Sequence, residues 1–219
     1  MEISTTLREA GDELLLFLHG IGCSRESFQH FWNRPEFASC SALAMDFVGF
    51  GESPASENFS YRIEDHARVC ARLLENFSDK KLHAVAHSMG CAVALLFPDE
   101  ILKSIRSFTS IEGNLIGADC GVVSRRVANS DPEKFAVEVF PEIQRQLAGV
   151  EKGYFALETT NPKALFKSAQ SLVAWSDSEI LLEKFHALAC QKNLFLRRRK
   201  CITPHGKPYQ EYSESGNQT

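Results

Sequence analysis

Residues 14–115 alternate short strand-like runs with helix-like segments, and this alternation narrows the fold more than any other feature of the chain. Leu14–Leu18 is continuously apolar and closes on His19-Gly20-Ile21-Gly22, the pattern of a buried parallel strand running into a turn. Ser41–Phe47, ended by Gly49 and Gly51, Leu82–Ala86 and Ile105–Ile111 are the next strand candidates. Between them, residues 25–32 carry Phe28, Phe31 and Trp32 on one helical face. Tyr61–Phe77 places Ile63, Ala67, Cys70, Leu74 and Phe77 at alternating steps of four and three. A further apolar helix spans Cys91–Phe97. Strands interleaved with helices predict an α/β protein, with a mostly parallel sheet and helices on both faces.

The pattern changes after residue 114. Ser130-Asp131-Pro132-Glu133 reads as a capping box with an early proline, and Asn161-Pro162 repeats the start signal. Asp177 or Ser178 is expected to open one more helix, running to Leu188. Residues 115–188 therefore read as a helical cap inserted into a core of residues 1–114. Residues 189–196 return to the core with a strand at Asn193–Leu196, and residues 197–219 form an irregular tail. The basic run Arg197–Lys200 and the prolines Pro204 and Pro208 carry no periodicity.

Composition removes several classes. With 219 residues, 44% of them apolar and 24% charged, the chain suits one ordinary globular domain. A net charge of −4 argues against nucleic acid as a partner, and no apolar run reaches the ~20 residues of a membrane span. The polar start, Met1-Glu2-Ile3-Ser4, is unlike a signal peptide. Seven cysteines without a C-x-x-C pair read as reduced, mostly buried thiols, so a cytoplasmic location is expected. No spacing of His, Cys and carboxylates suggests a metal site.

Three motifs follow strand ends in order. His19-Gly20-Ile21-Gly22 comes first, Asp46-Phe47-Val48-Gly49-Phe50-Gly51-Glu52-Ser53 second, and Ala86-His87-Ser88-Met89-Gly90 third. The third sets a serine on a tight strand-to-helix turn between small residues. Together they resemble the α/β-hydrolase superfamily, whose nucleophile elbow has Gly where this chain has Ala86. The resemblance is close over residues 14–115 and architectural beyond. It implies Ser88 as nucleophile, with the N–H groups of Ile21 and Met89 as oxyanion donors. It further implies an ester or related acyl substrate, a small molecule with an apolar acyl group shaped by the cap, and no cofactor. His19 is expected to order the oxyanion loop, and His30, His66, His83 and His186 to be structural or exposed.

The family's triad runs Ser, then Asp or Glu, then His. In Ser110-Ile111-Glu112-Gly113-Asn114, Glu112 occupies the place where some members carry the acid, so it is the candidate third residue. The standard base has no counterpart after the last strand; only His205, in the tail, follows it. Residues 195–201 are compatible with codons that, one base later, spell the aromatic-Gly-Glu-x-Asn turn expected there. The tail is accordingly expected to be a frameshifted ending, leaving an exposed sheet edge that favours self-association. Two functions remain: a serine hydrolase working through an acyl-enzyme on Ser88, or a catalytically incomplete member or non-catalytic binder.

Overall fold

The computed structural model describes residues 2–32, 34–148 and 155–196. One six-stranded sheet contains β1 (Thr5–Arg8), β2 (Glu13–Leu18), β3 (Ser41–Met45), β4 (Lys81–His87), β5 (Ile105–Ile111) and β6 (Gln191–Phe195). Their order is β1-β3-β2-β4-β5-β6, with β1 antiparallel to β3 and all other neighbours parallel. α1 (Gln29–Trp32), α2 (Ile63–Leu74), α3 (Met89–Leu95) and α4 (Asp99–Ser104) fall between strands. α5 (Val122–Ala128), α6 (Pro132–Lys134), α7 (Phe140–Leu147), α8 (Pro162–Asp177) and α9 (Ile180–Ala187) lie between β5 and β6. This is the mostly parallel α/β sheet that the alternation predicts.

Successive strand side chains point to opposite faces, and the sequence uses both. Leu14, Leu16 and Leu18 of β2, Leu43 and Met45 of β3, and Leu82, Ala84 and Ala86 of β4 join the main core. Ile63, Ala67, Cys70 and Leu74 of α2 complete it. Phe17, Ala42 and Ala44 face the other way, against Phe28 and Trp32, with Phe17 and Phe28 ring centroids 5.1 Å apart. Each fully buried Leu, Ile, Met or Phe among them contributes roughly 1.5–3 kcal/mol of transfer free energy. α8 packs on α2, α3 and α5, while α9 touches α3 and α8.

Several boundaries depart from the sequence expectation, each for a local reason. α2 starts at Ile63 because Tyr61 adopts φ +60°, its hydroxyl tied to the backbone of Ser56. Asp177 ends α8 instead of opening a helix; its carboxylate meets the Arg125 guanidinium at 2.7 Å. Glu179, at φ +59°, then breaks the chain before α9. Both proline-led starts behave as read: Asp131 accepts from Glu133 N, and Asn161 from Ala164 N.

Among the described residues β6 is one of the two sheet edges, with Leu194 and Phe195 exposed by 47% and 59%, and Leu196 after it by 66%. The arginine run and His205 lie outside the described residues. Among those described, no helix is long and apolar enough to cross a membrane.

Candidate active site

β4 delivers Ser88 to the C-terminal edge of the sheet and α3 leaves immediately after it. Ser88 sits at φ +50°, ψ −117°. A side chain in that region costs about 1–3 kcal/mol and persists only where neighbours enforce it. Here they do. The Ser88 N–H donates to Ile111 O on β5 at 2.9 Å, and its carbonyl accepts from Cys91 N at 3.0 Å. Gly90 lets α3 start against the end of β2, since a Cβ there would be driven into the Leu18 carbonyl. Beneath the turn, Cys91 donates its thiol to Ala86 O at 3.0 Å. Burial pushes that thiol up to about 12, so it is not a second nucleophile.

The loop after β2 closes over this turn. A Cβ on Gly20 would come within 2.6 Å of His87 Nδ1 and 3.2 Å of Ser88 Cβ, so only glycine allows the approach. His19 fixes the loop from inside. Its Nε2 accepts from Phe47 N at 3.0 Å, which assigns the proton to Nδ1, and Nδ1 donates to Gly20 O at 2.8 Å. Burial pushes its pKa down to about 4 despite the nearby Asp46 carboxylate, keeping the ring neutral at pH 7. Asp46 ties the next loop in: its carboxylate accepts from Arg25 N at 2.7 Å, from Glu52 N at 2.9 Å, and from the Arg25 guanidinium. The Ile21 and Met89 side chains are both buried, and neither backbone N–H has a hydrogen-bond partner among the described residues.

Ser88 Oγ donates to Asn114 Oδ1 at 2.8 Å. Asn114 is 2% exposed; its Nδ2 donates to Asp119 O at 3.0 Å, and its backbone carbonyl accepts from Ser176 Oγ on α8 at 3.3 Å. Sequence reading passed over this residue, although the polar run closing β5 was the available signal. Glu112, two positions earlier, is half-buried at φ +48° and its N–H donates to Phe195 O on β6. Its carboxylate makes no hydrogen bond among the described residues, and no described imidazole hydrogen-bonds Ser88 Oγ. His87 is mostly buried, which lowers its pKa to about 4. His66 and His83 contact Ser168 and Ser107 away from this edge. A shallow groove of about 630 Å³ between the start of α2 and α8 is lined by Arg62, Glu64, Lys167 and Trp175, not by the Ser88 cluster. Among the described residues, no three His, Cys, Asp or Glu side chains gather as a metal site.

A family profile of the alpha/beta hydrolase fold matches residues 13–164. The chain belongs to this family. Within it, the chain is 31% identical over 119 residues to the "Probable lysophospholipase BODYGUARD 4" of Arabidopsis thaliana, a match covering 48% of this chain and 28% of that protein. The chain spans about a quarter of the length of the plant relatives it matches. Among solved hydrolase structures, the N-acyl homoserine lactonase AidH superposes with a TM-score of 0.67 at 14% identity, over 88% of this chain and 72% of that one. A thermophilic esterase from Thermogutta terrifontis gives 0.60 at 21% identity, over 88% and 74%. At these identities the structural likeness concerns the fold.

Proposed function

We propose that this α/β hydrolase cleaves carboxylic esters or related acyl bonds through an acyl-enzyme on Ser88. The observation that carries the reading is the strained backbone at Ser88, braced by Ile111 O and pressed against the Gly20 loop. Strain of this kind aims a hydroxyl outward where a relaxed helix start would fold it back. In this reading Ser88 Oγ bonds to the acyl carbon, the ester C–O bond breaks, and the Oγ proton passes to the departing oxygen, which leaves as the alcohol. The Ile21 and Met89 N–H groups meanwhile receive the charge that develops on the carbonyl oxygen. Each such donor contributes roughly 2.7–4 kcal/mol in enzymes where one has been removed. Glu112, on the same sheet edge, is the candidate acid of the triad. The substrate is a small molecule with an apolar acyl group, lodged beneath the helices of residues 115–188. Lysophospholipase, lactonase and esterase, the names of the similar proteins, all denote hydrolysis at an acyl group.

A second reading has its own observation. The Ser88 proton is directed at a neutral amide, which hydrogen-bonds but takes no proton. A catalytically incomplete member, or a binder using the same pocket, would look like this. A fluorophosphonate probe separates the two readings. The hydrolase is expected to label covalently and to lose the label in Ser88→Ala. Folded wild-type protein that stays unlabelled would establish the incomplete member.

A further inference from the structure

The Ser88–Asn114 hydrogen bond changes meaning once Ser88 carries an acyl group. At rest Oδ1 is an acceptor with a donor 2.8 Å away. Acylation replaces the Oγ proton with carbon, leaving two lone-pair oxygens facing each other. Asn114 cannot turn its NH2 to Ser88 instead. Nδ2 donates to Asp119 O at 3.0 Å and approaches Cys120 Sγ at 3.7 Å, so a flip would set Oδ1 against the Asp119 carbonyl. The loop itself is pinned, because the Asp119 carboxylate accepts from Leu115 N at 3.1 Å and Ile116 N at 3.0 Å. A buried acceptor held rigidly and stripped of its donor is costly until another donor arrives.

Resting on the acyl-enzyme reading above, we propose that Asn114 Oδ1 holds the water that hydrolyses the Ser88 ester. The water donates one hydrogen bond to Oδ1, which directs an oxygen lone pair at the adjacent acyl carbon. The water oxygen bonds to that carbon as the carbonyl electron pair moves onto its oxygen, facing the Ile21 and Met89 N–H groups. On collapse the C–Oγ bond breaks and Ser88 Oγ takes the water's proton. The carboxylic acid leaves and sheds its own proton to solvent. Asn114 accepts a hydrogen bond throughout and never a proton, and the restored hydroxyl returns to it. Asn114 thus serves the second half-reaction and not the first.

The test uses the full chain, p-nitrophenyl acetate, and intact mass spectra that follow the acetyl group on Ser88. Asn114→Leu keeps the volume and removes the acceptor. It is expected to acetylate at the wild-type rate or faster, while the adduct persists about tenfold longer, the size of one lost hydrogen bond. Asn114→Gln keeps both an acceptor oxygen and an NH2 donor for the Asp119 carbonyl, and is expected to restore decay to within about threefold of wild type. Should Asn114→Leu not melt cooperatively, Asn114→Ala carries the same expectation. An adduct lifetime unchanged by loss of the acceptor, or acetylation and decay slowed together in every variant, would overturn the role of Asn114 alone. Wild-type protein that takes neither acetyl group nor fluorophosphonate would overturn the acyl-enzyme reading beneath it.

Discussion

At Ser88, backbone and side chain pull in different directions, and two substitutions separate them. Ser88→Ala keeps a side chain at φ +50° and leaves the buried Asn114 Oδ1 without its donor. Ser88→Gly loses the same hydrogen bond but relieves the strain, worth about 1–3 kcal/mol, against a glycine entropy cost of about 0.5–1 kcal/mol. The Gly variant is therefore expected to be the more stable by about 1 kcal/mol in urea denaturation. Equal or lower stability would mean that Ser88 relaxes in solution. The serine, its turn and the Gly20 loop were legible in the sequence because each depends on residue type at a fixed offset from a strand end. Asn114 was not. Which polar group of Glu112-Gly113-Asn114 meets Ser88 is decided by the left-handed turn at Glu112 and by the Asp119 anchor, and neither leaves a periodic mark.

Strands were legible in proportion to how far they are buried. β2 through β5 lie inside the sheet and carry apolar residues on the core face. β1 alternates half-buried and exposed positions with the polar sequence Thr-Thr-Leu-Arg, so no apolar run announces it. Instead it is held antiparallel to β3, and the Arg8 side chain donates to the carbonyl oxygens of Phe37 and Cys40. Helix ends were less legible, since Tyr61 and Glu179 reset them through positive φ angles that no propensity encodes. The contrast between the centre and the edge of the sheet gives an energetic test. Leu16→Ala, at a site with 0% exposure, is expected to cost about 2–5 kcal/mol. Leu194→Ala, at 47% exposure on β6, is expected to stay within about 0.5 kcal/mol of wild type. Both are read from urea midpoints. A loss at Leu194 as large as at Leu16 would show that the outer face of β6 is covered in solution.

Across the whole molecule, the hydrolase core confines three imidazoles in their neutral form. Burial lowers His19 and His87 to about 4 and His66 to about 3, against an ordinary value of 6.5. Partners set the tautomers of His19 and His66: Ser168 Oγ donates to Tyr61 O, so His66 Nε2 must be the donor to Ser168. His66 Nδ1 is then a bare lone pair, buried without a partner among the described residues. A group whose native pKa is depressed adds its stability above the unfolded value and loses it as pH falls toward the native one. Between pH 6.5 and about 4 the unfolded chain takes up protons that the native chain refuses. Each imidazole then contributes up to about 1.4 kcal/mol per pH unit, and the three together up to about 4. That slope would exhaust a typical domain stability of about 5–15 kcal/mol within a few units. The urea midpoint is accordingly expected to be flat above pH 7 and to fall steeply from pH 6.5 to 5. His66→Gln is expected to reduce the slope by about one third, one proton in three. A midpoint unchanged between pH 7 and 5 would mean that these rings reach water. The same protonation reaches the site, because His19 holds the Gly20 loop only while Nε2 remains an acceptor for Phe47 N. Loss of fluorophosphonate labelling at Ser88 is therefore expected to follow the stability curve downward over the same pH range.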